Sequence, residues 1–104
     1  MKFRKKPVII DAIPVSEAVA ASMANWSSLP VWLRDAYELG NVVFTPTNIH
    51  ITTLEGVMVG QLGDWIIRGM MGELYPCRGD IFQATYAKVE DDNVSTITPS
   101  RVVI

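Results

Sequence analysis

The chain has 104 residues, enough for one domain, and its 49% hydrophobic and 19% charged residues support a packed core and exclude a wholly disordered protein. A formal net charge of −2 provides no global basic field and argues against nucleic acid as a partner. The single cysteine, Cys77, excludes an internal disulfide, and one thiol with one histidine is too small a set for a Cys/His zinc site, so no metal or cofactor is expected.

Lys2, Arg4, Lys5 and Lys6 open the chain and read as a solvated flank before a buried strand, more readily than as a phosphate-touching arm. The apolar run 7–10 is cut by Asp11, well short of a secretory signal, and nothing approaches the length of a membrane span. A cytoplasmic protein is expected, in keeping with the lone thiol. Residues 7–15 form the first strand candidate, rich in Val and Ile with Pro7 and Pro14 at its ends. Ser16 offers a helix N-cap and Glu17 complements the helix dipole, so a short helix to about Asn25 follows. Val19, Met23 and Trp26 make its apolar stripe. A second helix starts near Leu29-Pro30, buries Leu29, Trp32, Leu33 and Ala36, turns Arg34, Asp35 and Glu38 to water, and stops at Gly40.

Strands are then expected at 41–45, 48–54 and 57–59, with turns at Pro46-Thr47 and Glu55-Gly56. Ile49, Ile51 and Thr53 alternate with His50, Thr52 and Leu54, which puts one face of that strand on the core. Two more strands, 65–68 and 73–77, flank a link bounded by Gly69 and Gly72, the composition of a hairpin. From 54 to 77 the chain thus reads as a meander of short strands, a curled antiparallel sheet or small partial barrel. Phe82 and Tyr86 lie four residues apart on one face of a helical turn, and 87–89 is a closing strand candidate. Residues 90–93 read as an acidic turn, and 95–104, ending in Val102-Val103-Ile104, as an apolar tail. The architecture expected is α+β: one domain over 1–90, with 91–104 an extension that adds an edge strand or meets a second copy in a homodimer.

Several separated stretches carry a resemblance: the opening Met-Lys-Phe-Arg-Lys-Lys-Pro-Val, Thr53-Leu54-Glu55-Gly56, the run 63–69, the run 72–77 and the run 80–86. Together, over 1–15 and 53–88, they resemble a family of small phage and prophage proteins named for a Pro-Gly-Asp-Tyr-Ile motif. Leu62 stands where that motif has Pro and Trp65 where it has Tyr, both keeping a turn followed by an aromatic. The tail 91–104 runs past the usual end of such proteins. The resemblance implies a phage or prophage origin and brings no activity or catalytic residue with it.

The candidates for chemistry are His50, Asp64, Glu73 and Cys77. Cys77 beside His50 would need a thiolate and an oxyanion donor, whereas Pro76 and the strand setting favour an inert thiol. Asp64 and Glu73 form a possible acid/base couple, yet both sit where turns need a capping carboxylate. No catalytic residue is assigned. Gly69-Met70-Met71-Gly72 lacks the Lys-Ser/Thr ending of a P-loop. Met70 and Met71 either expose an adaptable contact surface or fold back into the core. Arg68, Tyr75, Trp65 and Glu73 hold the materials of a site for a nucleotide-like anion. Alternation separates Arg68 from Trp65 on an ideal strand and leaves Arg68 free to meet Tyr75 across the pair. The function expected is a non-catalytic phage accessory protein that binds a host protein or a small anionic ligand. A virion or assembly component is the alternative, and a small hydrolase using Asp64, Glu73 or Cys77 is the third reading.

Overall fold

The computed structural model describes residues 1–4, 6–89 and the backbone of 100–103. Two antiparallel sheets and three helices make a mixed α+β domain, and the strands close no barrel. The elements run β1 (Ile9–Pro14), α1 (Val15–Ala24), a 3-10 turn (Trp26–Ser28), α2 (Val31–Glu38), β2 (Val42–Phe44), β3 (Asn48–Thr53) and β4 (Gly56–Gln61). They continue with β5 (Trp65–Arg68), β6 (Leu74–Cys77), α3 (Gly79–Thr85), β7 (Ala87–Lys88) and β8 (Ser100–Val103).

The larger sheet has the order β6-β5-β1-β8-β7 and the smaller β2-β3-β4. The expected single meander from 54 to 77 is therefore divided: β4 belongs to the small sheet and β5 to the large one. The break falls at residues 62–64, where the Asp64 amide bonds Gln61 O at 2.9 Å and the Asp64 carbonyl accepts the Val15 amide at 2.9 Å. That second bond ties the turn to the start of α1 and carries the chain out of one sheet into the other. The tail is corrected as well. β8 is no edge strand but lies inside the large sheet, with Ile9 opposite Val103 and Ala12 opposite Ser100 on one side and β7 on the other. The acidic turn 90–93 and the stretch 95–99 lie outside the described residues.

The large sheet has a core on each face, because β1 and β5 alternate apolar residues both ways. Ile13 and Ile66 point to one side and join Val15, Ala18 and Val19 of α1, Leu29, Leu33 and Ala36 around α2, and Val42, Ile49 and Ile51 of the small sheet. Ile10, Ala12 and Ile67 point to the other side and meet Phe82 of α3. Gly60 shows how closely the layers approach: a Cβ there would stand 3.0 Å from Ile49 Cγ2 and 3.2 Å from Val15 Cγ2.

Helix details depart from expectation in three places. Ser16 lies inside α1, which starts after Pro14 with no side-chain cap. Proline suits that position because its missing N–H has no partner at a helix start anyway. Met23 is 65% exposed, since the buried stripe of α1 is Val15, Ala18 and Val19. Arg34 is half-buried rather than turned to water, and its Nε has no hydrogen-bond partner among the described residues. α2 ends as expected, with Gly40 at φ 80° after it. No helix among the described residues is long and apolar enough to cross a membrane.

Candidate functional site

The hairpin of β5 and β6 positions the residues singled out from sequence, and its register decides which of them meet. Trp65 stands opposite Cys77, Ile66 opposite Pro76, Ile67 opposite Tyr75 and Arg68 opposite Leu74. Directly opposed residues in an antiparallel pair share a face. Tyr75 therefore lies with Ile67 and Trp65, and Arg68 lies on the far side with Leu74. The expected meeting of Arg68 with Tyr75 does not occur, and the two sides of the hairpin are different environments.

On the α3 side, Trp65 stacks on Phe82 with ring centroids 4.1 Å apart, and Phe82 in turn stacks on Tyr86 at 4.9 Å. Tyr75 joins this cluster. Burial, followed by a hydrogen bond to the Tyr86 side chain, pushes its phenol well above the ordinary tyrosine value. Cys77 packs into the same cluster, and burial raises its thiol pKa, with the Asp64 and Asp80 carboxylates adding to the effect. A raised pKa favours the protonated thiol, the opposite of what a nucleophile needs. The thiol approaches the Arg78 carbonyl at 3.6 Å.

The tip is held by Glu73. Its carbonyl accepts the Gly69 amide at 2.8 Å and its carboxylate accepts the Met71 amide at 3.1 Å. The carboxylate fills the space where residue 69 would carry a Cβ, and Gly72 sits at φ 83°. Glycine at both positions is thus a requirement of the loop. Asp64 likewise serves its turn, accepting the Gln61 amide at 2.9 Å. Both carboxylates of the suggested acid/base couple are engaged with backbone amides. Met70 and Met71 stand exposed at the tip, above a hollow of about 420 Å³ bordered by Lys6, Val8 and Tyr75.

On the other side, Arg68 reaches Asp11 across β1 at 3.4 Å, a long and partly exposed ion pair. Beside it runs a groove of about 530 Å³ between α2, the β3–β4 turn and the hairpin. Trp32, Leu39, Leu54 and Leu74 supply its apolar wall; Asp35, Arg68 and Glu73 supply its charges. Leu39 and Leu54 are fully or largely exposed at its rim. Neither was singled out from sequence, although an apolar residue next to the Gly40 stop and another in the turn before Glu55-Gly56 were signals, because such positions are usually polar. His50 projects from the outer face of the small sheet, opposite Val43 and Val59, on a different element from Cys77. Among the described residues no three His, Cys, Asp or Glu side chains gather as metal ligands.

Compared with known protein families, with characterised proteins and with solved structures, the chain matches none.

Proposed function

We propose that this is a non-catalytic binding protein of phage or prophage origin, which acts in the host cytoplasm by holding an apolar segment of a host protein in the groove between α2 and the hairpin. The observation that carries this reading is the groove itself: Trp32 and Leu74 line it while Leu39 and Leu54 stand uncovered at its rim. Exposed leucines flanking a half-buried tryptophan are the composition of a protein contact surface. The charge balance turns the choice away from a small anion. Two carboxylates, Asp35 and Glu73, border the groove against one guanidinium, and Arg68 already has Asp11 beside it. A segment with apolar side chains and a basic group fits that lining better than a nucleotide does. The phage assignment rests on the resemblance over 1–15 and 53–88. The absence of catalysis rests on the residues themselves: Cys77 is held toward its thiol form and Asp64 and Glu73 are committed to turns.

Affinity capture from bacterial lysate with the wild-type chain and with a Leu39→Asp, Leu54→Asp variant tests the reading. Both leucines are exposed, so the variant is expected to fold. A host protein retained by the wild type and lost by the variant is the expected result. A wild-type chain that retains nothing, or a partner retained equally by both, overturns it. Retention of a nucleotide that depends on Arg68 would restore the anion reading in its place.

A further inference from the structure

Among the described residues the two sheets leave four edge strands, and β4 differs from the other three. Strands are normally protected at an edge by shortness, by proline, by charge or by a covering element. β2 has three residues and β7 two, while β6 has four and carries Pro76. β4 has six residues, Gly-Val-Met-Val-Gly-Gln, with no charge and no proline.

Its open edge can be read from two hydrogen bonds. The Thr52 amide bonds Asn41 O at 2.8 Å, on the β2 side of β3. Residues of β3 alternate in direction, so Ile49 and Ile51 are those that bond toward β4. Their partners there are Gly60 and Met58. Val57, Val59 and Gln61 must then turn their amides and carbonyls outward. Gln61 confirms the direction, for its amide is taken by Asp64 Oδ2 at 2.9 Å. Val57 and Val59 offer two donors and two acceptors along the open edge, with side chains 62% and 39% exposed.

We propose that two copies of this chain join antiparallel through β4, with Met58 of one copy opposite Met58 of the other. In that register Val57 of each copy faces Val59 of its neighbour, so all four outward groups of each copy are paired. The four valines form one apolar patch on the outer face of a continuous six-stranded sheet. The strand itself has no charge, so no like charges oppose one another between its central residues. At each end Glu55 of one copy comes opposite Gln61 of the other, near the Asp64 carboxylate that holds the Gln61 amide, which keeps the pair weak. A six-residue strand is only about 20 Å long. That contact falls in the class of small interfaces below about 1,200 Å² of buried surface, which form transient dimers. The dimer is therefore concentration-dependent. This inference stands apart from the groove reading and uses none of its residues.

Sedimentation equilibrium from about 10 µM to about 1 mM, the range in which such weak pairs assemble, tests it. The average mass is expected to rise from one chain toward two. Val59→Pro removes only an outward amide, leaving the β3–β4 ladder intact, and is expected to abolish the rise. Val57→Lys, at an exposed position, keeps the fold if the proline does not and is expected to weaken association about tenfold or more. In a Cys77→Ser background, Met58→Cys is expected to give a disulfide-linked dimer on mild oxidation, because a non-hydrogen-bonded antiparallel pair has the Cα spacing a disulfide needs. A mass that stays at one chain at the highest concentration overturns the proposal. So does a dimer that survives both strand variants, or one that leaves the thiol at 58 unlinked.

Discussion

The five-stranded and three-stranded sheets are built on the same alternation and finished differently. In the large sheet, β1 and β5 bury side chains on both faces, Ile13 and Ile66 toward α1 and the small sheet, Ile10 and Ile67 toward α3. In the small sheet the described residues cover only the inner face. Ile49 and Ile51 sink into the core while Val43, Val57 and Val59 stay uncovered on the other side. β-branched residues favour the strand conformation, so the sheets differ not in how they form but in which of their faces are packed. The large sheet is used up in holding the domain together, and the small one keeps surface in reserve.

If that division is right, damage to the large sheet should be global. Phe82→Ala removes the ring between Trp65 and Tyr86 and should cost about 3–5 kcal/mol, with a loss of near-UV circular dichroism from Trp65. Ile66→Ala and Ile67→Ala act on opposite faces of the same strand and should each cost about 2–5 kcal/mol in urea unfolding. A large loss from one and none from the other would show that one of the two cores is dispensable. Where the layers meet, Gly60→Ala sharpens the comparison. Its new methyl presses on Ile49 and Val15, and about 1–3 kcal/mol should be lost, although the strand as such gains a better strand former.

A pH experiment addresses the α3 face alone. Tyr75 keeps its proton at a pH where an unfolded tyrosine, near pH 10, has released it. Its contribution is complete below pH 10 and is lost as pH rises above that value. Stability should fall progressively as pH rises above 10 toward the raised folded-state value, and Tyr75→Phe should flatten that fall while leaving neutral-pH behaviour of the other face untouched. The smallest effect is expected at Arg68. Its pair with Asp11 is 3.4 Å long and partly exposed, so Arg68→Ala should cost less than about 1 kcal/mol.

Much of the architecture was legible from pattern. β5 occupies 65–68 as read, β3 puts Ile49 and Ile51 inward, and Phe82 of α3 stacks on Tyr86 just past the helix end. What pattern does not carry is the identity of a strand's neighbour. β4 and β5 look like consecutive members of one meander until the Val15–Asp64 bond separates them. The site suffered from a finer ambiguity. A second strand starting at Glu73 would set Arg68 opposite Glu73 and bring Tyr75 to the arginine's face. The strand starts at Leu74 instead, because Glu73 folds back to cap the loop. A one-residue change of register moves every side chain to the other face, so one residue of loop length separated the predicted site from the observed one. The leucines at the groove rim were missed for a simpler reason: chain pattern places them beside turns, and only the folded structure brings those turns together.

The position of β8 has a consequence for how the domain is made. Its partner β1 is some ninety residues away in sequence, and until β8 arrives Asp11 and Ala12 have a strand neighbour on the β5 side only, while Ile9 and Ile10 have none in either register. A nascent chain emerging from the ribosome would carry that half-finished edge, with Ile9 and Ile10 on it, until residues 100–103 were made. Closing so long a loop is slow relative to local hairpins, so the unfinished edge stays open to strand pairing with other chains until β8 docks.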